Sequence, residues 1–170
     1  MAQTPTLLVV EPDKVPEGGL EPFFHAAGEI GVEPERLERR IRRAYRLIYL
    51  FTGERLIGVS AVKLPSPSYR MRVFGHAGAA ERVAAFPLEF GWLYVLPSER
   101  GNGHADRLVA AGRQAAPGSG LFATVRADAA PVKRIFERHG YVKLGGDYGS
   151  ALGEHRLSLM AAPPFKATGG

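Results

Sequence analysis

The sequence predicts an α/β (α+β) fold, a mixed central sheet of about six to seven strands with helices on both faces. Three observations carry that expectation. Residues 86–109 open with alternating bulky side chains, turn through Pro-Ser-Glu-Arg-Gly-Asn-Gly, and continue at helical spacing, so a strand feeds a helix through a glycine-containing loop. Residues 121–126 read as a strand, 130–139 as a helix, and Gly140-Tyr141 as the turn into another strand. Upstream, 46–51 and 55–64 are two strand-like runs joined by Thr52-Gly53-Glu54, a short hairpin loop.

Taken in order, residues 7–10 form a short strand that Pro12 and the turn at Asp13 end. Leu20, Phe23, Phe24 and Ala27 fall at helical spacing and predict an amphipathic helix closing at Gly28 or Gly31. Pro34 introduces a second helix over 35–44, with Leu37, Ile41 and Ala44 on one face and Arg36, Arg39, Arg40, Arg42 and Arg43 on the other. That strip is either a basic surface for RNA or an acidic substrate, or a solvated face partly balanced by Glu33, Glu35 and Glu38. No aromatic or amide residue stands among the arginines, which favours the solvated face.

After the hairpin, Pro65-Ser66-Pro67-Ser68 breaks the strand, and Tyr69, Val73, Phe74 and Ala77 predict an inserted helix over about 68–77. The central strand then puts Glu89, Gly91, Leu93 and Val95 on one face and Phe90, Trp92 and Tyr94 on the other, unless a bulge shifts the register. Glu89 is a carboxylate in an otherwise apolar strand. Burial raises a carboxyl group's pKa toward the range a base needs, which makes Glu89 a candidate functional acid; the plainer reading is an edge-exposed or salt-bridged glutamate.

The helix over 104–115 carries Leu108, Ala111, Gly112 and Ala115 on one side, small enough to lie close against a sheet. Pro117-Gly118-Ser119-Gly120 ends it. Residues 142–144 and 154–160 read as a last pair of strands joined by a loop that contains Tyr148. The expected organisation is one domain over 1–162, with a helical insertion at about 65–80 and a flexible tail over 163–170.

The loop after the central strand is built as an anion cradle. A helix start leaves its first N–H groups unpaired and carries a partial positive charge, and Gly101 and Gly103 let an anion approach the main chain. A dinucleotide fingerprint would need glycine or alanine where Asp106 stands, and a Walker loop would need Lys and then Ser or Thr after its last glycine. Neither fits. Arg100-Gly101-Asn102-Gly103-His104-Ala105, following Val95 and Pro97, matches Arg/Gln-x-x-Gly-x-Gly/Ala, and the segment resembles the loop of the GNAT acyltransferase superfamily. The downstream strand, helix and Gly140-Tyr141 pair resemble a second motif of that family, with two departures: Ala129 stands at its asparagine position and Phe136 at its tyrosine position.

The resemblance implies an acetyl-coenzyme-A-dependent N-acetyltransferase whose sheet splays between the fourth and fifth strands near Val95. Leu93, Tyr94, Val95, Arg100, Gly101, Asn102, Gly103, His104, Ala105 and Phe136 are then the expected cofactor-binding positions, with backbone N–H groups around Val95 stabilising the negative oxygen of the reacting carbonyl. Glu89, six residues before Val95, is the expected base. Phe136 cannot donate a proton, so Tyr148, Tyr141 or a water is expected to serve the leaving thiolate, with Tyr148 the preferred residue. Tyr69 and Arg70, together with Arg72, are candidates for acceptor selection, because an insertion at 65–80 would sit by the acceptor end of the cleft. The acceptor is expected to be a primary amine on a small molecule or peptide. Alternatives are the amino group of an aminoacyl-tRNA, suggested by the basic helix, and a non-catalytic coenzyme-A-binding module, suggested by Phe136 and Ala129.

Composition sets the outer bounds. At 170 residues, with 45% hydrophobic and 23% charged residues, the chain reads as an ordinary globular protein. No cysteine is present, which excludes disulfides, thiolate nucleophiles and zinc–thiolate sites. The five histidines lack metal-ligand spacing and no Gly-x-Ser-x-Gly elbow accompanies them, so no metal is expected. A net charge of +5 and a pI near 9.7 suit a phosphate-rich ligand as well as nucleic acid. Without a leader-like start or an apolar run of membrane length, the expectation is a cytoplasmic protein with no membrane partner, as a monomer or homodimer.

Overall fold

The computed structural model describes residues 3–28, 34–151 and 153–166. Seven strands form one sheet in the order β1-β2-β3-β4-β5-β7-β6. These are β1 (Thr6–Val10), β2 (Arg46–Thr52), β3 (Arg55–Lys63), β4 (Leu88–Val95), β5 (Leu121–Arg126), β6 (Val142–Gly149) and β7 (Arg156–Ala162). All neighbours are antiparallel except β4 and β5. The sheet is therefore mixed, as expected, and its one parallel step falls where the glycine loop and its helix cross over.

The helices are α1 (Glu21–Gly28), α2 (Pro34–Arg42), α3 (Pro67–His76), α4 (His104–Ala115) and α5 (Ala130–Arg138). Gly31, the other expected end of the first helix, lies outside the described residues. On one face of the sheet, Phe23 of α1 and Leu37 and Ile41 of α2 pack on Leu47, Val59, Ala61 and Trp92, while Val73 and Phe74 of α3 pack on Phe122, Leu159 and Ala161. On the other face, Leu108 and Val109 of α4 and Phe136 of α5 cover Ile57, Phe90, Val95, Ala123 and Met160. Among the described residues no helix is long and apolar enough to cross a membrane.

Small residues set how closely α4 lies on the sheet. A Cβ on Gly112 would stand 2.5 Å from Cε2 of Phe90, and one on Gly58 of β3 would stand 3.0 Å from Cδ1 of Leu108. The inserted helix α3 starts as its sequence suggests, with Pro67 in the first turn and the Ser66 hydroxyl accepting from the Tyr69 amide at 3.3 Å.

Three features depart from the local pattern. The β4 alternation holds to Gly91 and is then reset by a bulge: Val59 pairs with Tyr94 and Ala61 with Gly91, so Ser60 alone faces Trp92 and Leu93. As a result Trp92 and Tyr94 join the α1–α2 side with Gly91, whereas Leu93 and Val95 turn to α4 with Phe90. Second, Tyr148 lies in β6 rather than in a loop. A register shift between Leu144 and Tyr148 takes up the extra residues, and the Gly146 amide ties the bulge to Ala77 O at 2.9 Å. Gly145, at φ 62°, is required there, because a Cβ would run into the Ala77 carbonyl. Third, β7 runs on to Ala162, and the residues that follow lie against α4: Pro163 O accepts from Arg113 at 2.7 Å, and Phe165 O accepts from the Gly118 amide. Residues 167–170 lie outside the described part.

Candidate active site

β4 and β5 pair only at Leu88 with Leu121 and Glu89 with Phe122, and no pairing continues toward Val95. This leaves a wedge-shaped gap in the sheet, open at the C-terminal end of β4. The backbone of β4 presents hydrogen-bonding groups to that gap. The Leu96 amide donates to Ile57 O at 2.9 Å, so by strand alternation Leu96 and Tyr94 face β3, and the N–H of Val95 faces the gap. The Val95 carbonyl on the same side accepts from Arg100 Nε at 3.0 Å.

At the mouth of the gap stands the glycine loop. Pro97–Glu99 forms a 3-10 turn, and Asn102 Nδ2 donates back to Glu99 O at 3.1 Å, closing the loop on itself. Gly101 and Gly103 have φ of 83° and 77°, and Gly103 is the left-handed residue from which α4 starts. A Cβ at either would meet nothing within 4 Å, so open space lies over the loop. Among the described residues the first amide after the turn with a protein acceptor is that of Arg107, which donates to Gly103 O; the amides of 101–106 have none. His104 is buried and its Nδ1 also lacks a partner, while Nε2 lies 3.8 Å from Glu99. Ala105 packs beneath the loop against the cluster of Val95 and Leu108. Unpaired amides, a helix start and room for an anion fit a diphosphate.

Deeper in the gap, on the face shared by α2 and α3, Glu89 is 3% exposed. Both of its oxygens are engaged. Tyr69 OH of α3 donates to Oε1 at 3.1 Å, and Lys63 Nζ, directly across the ladder from Glu89, is 3.1 Å from Oε2. The Lys63 ammonium also lies 5.1 Å from the centre of the Trp92 ring. Burial above all, and then the Glu89 charge and hydrogen bond, raise the Tyr69 pKa far above its usual value. Tyr148 is 9% exposed, and its hydroxyl is buried without a hydrogen-bond partner among the described residues. Burial, helped by the Glu89 charge, pushes it up to about 12.

The remaining candidates lie elsewhere. The Arg70 guanidinium donates to the carbonyls of Val83 and Phe86, both at 3.2 Å, so it braces α3 against the turn that follows. Phe136 is 3% exposed, its ring edge-on to Phe90 at 5.7 Å and to Tyr141 at 4.9 Å, which makes it part of the core. Tyr141 is 1% exposed in that same core cluster. Arg72 stacks on the Tyr69 ring at 5.4 Å. Lys63 went unrecognised in the sequence, and a bulge in β4 was allowed for but not placed at Trp92; a lysine closing an apolar strand was the local signal for Lys63, and its partner depended on register.

Comparison with known proteins adds to this geometry. A family model described as Acetyltransferase (GNAT) family matches residues 19–141. No curated protein matches the chain. Among solved structures, Escherichia coli ElaA is similar at a TM-score of 0.66 and 11% identity, covering 92% of this chain and 99% of its own. Arabidopsis thaliana NAA60 in complex with acetyl-CoA gives 0.65 and 15%, covering 94% and 99%. Salmonella typhimurium yncA with its cofactor acetyl-CoA gives 0.61 and 13%, covering 99% and 98%. At these identities the likeness to each structure is one of fold.

Proposed function

The chain belongs to the GNAT acetyltransferase family, and from that premise we propose that it moves an acetyl group from acetyl-coenzyme A to a primary amine by direct attack on the thioester. It is an acyltransferase, and acetyl-coenzyme A is its acyl donor. The observation that carries the proposed reaction is the run of unpartnered amides over 101–106 at the mouth of the gap between β4 and β5. Those amides, with the positive end of α4, hold the diphosphate. Asn102 keeps the loop closed, and Arg100 caps the Val95 carbonyl that would otherwise stand unpaired in the gap.

Acetyl-coenzyme A bound there supplies an activated thioester, and the residues of β4 and its neighbours do the rest. Leu93, Tyr94 and Val95 line the arm of the donor, and the Val95 N–H donates to the carbonyl oxygen as negative charge develops on it. An acceptor amine of lysine type, with a pKa of about 10.4, must lose a proton before it attacks, and Glu89 takes that proton directly or through a water. Tyr69 stands at the acceptor side, bonded to Glu89.

The tyrosine that the family carries at the position of Phe136 is absent, and Tyr148 takes over its contact with the leaving sulfur. With its hydroxyl pushed up to about 12 and a thiol near 8.5, complete proton transfer would be uphill by roughly 3.5 units. Tyr148 therefore stabilises the departing thiolate by a hydrogen bond, without giving up its proton.

Thermal unfolding with and without acetyl-coenzyme A tests the first half of the reading. At a hundredfold excess over the dissociation constant the ligand is expected to add about 2.7 kcal/mol, and no shift would refute the cradle. Release of free thiol across a panel of primary amines tests the second half. Glu89→Gln is expected to lower the best rate by roughly a hundred- to ten-thousandfold, and an unchanged rate would remove Glu89 from the role of base.

A further inference from the structure

Glu89 is not a lone carboxylate in an apolar strand but one arm of a four-residue unit built across two strands. The unit starts from register, since Lys63 closes β3 directly opposite Glu89. From there the lysine side chain runs over Gly91, where an added Cβ would stand 3.1 Å from both Cε and Nζ, so a larger residue would push the ammonium aside. The ammonium ends between Glu89 Oε2 at 3.1 Å and the face of the Trp92 ring at 5.1 Å.

Trp92 is itself unusual. It is the one non-glycine residue with positive φ among the described residues, at 51°, and it lies in the bulge of β4, three residues beyond the last that pairs with β5. A bulky residue persists in that conformation only where its surroundings hold it. The indole is held by the edge of Phe23 at 6.3 Å and by the charge of Lys63.

We propose that Lys63 is a positioning residue for acyl transfer: its ammonium, fixed between the Glu89 carboxylate and the indole of Trp92, keeps Glu89 charged and oriented for the acceptor and ties that carboxylate to the bulge in β4. This rests on the reading of Glu89 as the base. The charge balance supports it. The groups around Glu89 are Lys63 from β3, Tyr69 from α3 and Tyr148 from β6, while Arg40 of α2 acts on the Tyr69 hydroxyl, Arg72 stacks on the Tyr69 ring and His76 packs on the Tyr148 ring at 5.8 Å. Among the described residues only Lys63 brings a formal charge into contact with the carboxylate. A carboxylate this deeply buried stays ionised only when paired, and an uncharged carboxylic acid is no base. During transfer a proton passes from the acceptor nitrogen to Glu89, and Lys63 keeps its own.

The test uses Lys63→Met, Lys63→Arg and Gly91→Ala in the full chain. Titration of the Glu89 carboxyl carbon by NMR, without ligand, is expected to move upward by at least one pH unit in Lys63→Met and to return to within half a unit in Lys63→Arg. With acetyl-coenzyme A and the amine that gives the fastest thiol release, the acid limb of the kcat profile is expected to move with that titration. In the same assays KM for acetyl-coenzyme A should stay within twofold. Gly91→Ala, which displaces the ammonium without removing it, is expected to lower kcat by about three- to tenfold and serves should Lys63→Met not fold. A Glu89 titration that ignores Lys63→Met, or an acid limb that Lys63→Arg fails to restore, overturns the proposal. Glu89→Gln separates the two ideas: if it leaves the rate intact while the titration still responds to Lys63, the base reading fails and the coupling to Lys63 stands.

Discussion

Replacing Tyr148 by phenylalanine should move stability and activity in opposite directions. A buried tyrosine normally donates a hydrogen bond, and deleting its hydroxyl costs about 0.5–1.5 kcal/mol. The Tyr148 hydroxyl is buried and has no partner among the described residues, so in the free protein it carries a desolvation penalty of about 1–3 kcal/mol with nothing to offset it. The ring itself, packed among Phe74, Phe122 and Leu159, is unchanged by the substitution. Tyr148→Phe is therefore expected to gain about 1 kcal/mol, a rise in Tm of about 2–4 °C for a domain of this size.

Thiol release at saturating acetyl-coenzyme A should fall by about a hundredfold in the same variant, the lower end of the general-acid range, because a hydrogen bond rather than a full proton transfer is lost. An internal check comes from alkaline pH. The unfolded tyrosine releases its proton near 10 and the folded one near 12, so Tyr148 makes the wild type lose stability as pH rises through that interval; the variant keeps such a loss from Tyr49, Tyr69 and Tyr141, which burial also raises, and should fall less steeply. Denaturant unfolding and the thiol assay decide the matter together. A loss of more than 1 kcal/mol would show that the hydroxyl is bonded after all, and a rate within threefold of wild type would show that it never meets the sulfur.

Three further outcomes are expected. Gly103→Ala meets no neighbour, so its cost is the left-handed backbone alone, about 1–2 kcal/mol, and re-aimed amides should cut the thermal shift from acetyl-coenzyme A by more than half; an undiminished shift would argue against the cradle. Gly112→Ala should destabilise by about 1–3 kcal/mol in denaturant despite the better helix propensity of alanine, because its Cβ enters the buried Phe90 ring; net stabilisation would mean that α4 can lift off the sheet. Asp106 is held below its ordinary 3.8, first by the Arg138 hydrogen bond and then by His139, against burial. A lowered carboxyl stabilises above its unfolded value and loses that contribution as pH falls through the folded one, so Arg138→Ala should lower stability slightly at neutrality, and its deficit against the wild type in denaturant unfolding should vanish as pH falls below about 4; a deficit that grows in acid would refute the pairing.

What could be known from the chain alone was whatever short-range pattern encodes. The alternation from Leu88 to Gly91, the helical spacing after Gly103, the hairpin at Gly53 and the start of α3 at Ser66 and Pro67 depend on residues a few positions apart, and each formed close to its expected place. Gly101 and Gly103 were legible for the same reason, since a positive φ before a helix is a local demand on the backbone. Burial of Glu89 could be anticipated from its apolar strand, although its ion pair could not.

The rest was decided by tertiary structure. Lys63 and Glu89 are far apart in sequence and meet only through the β3–β4 register, while the bulge at Trp92, which swaps the faces of Leu93 and Tyr94, is held by a ring from α1 and a charge from β3. Tyr148 reaches the neighbourhood of Glu89 because Gly145 lets β6 bulge against the end of α3, and Arg70 braces a turn that no periodicity announces. Local pattern sets which face a side chain takes within its own element. Which element lies opposite depends on register and bulges, and their energies come from contacts between segments far apart along the chain.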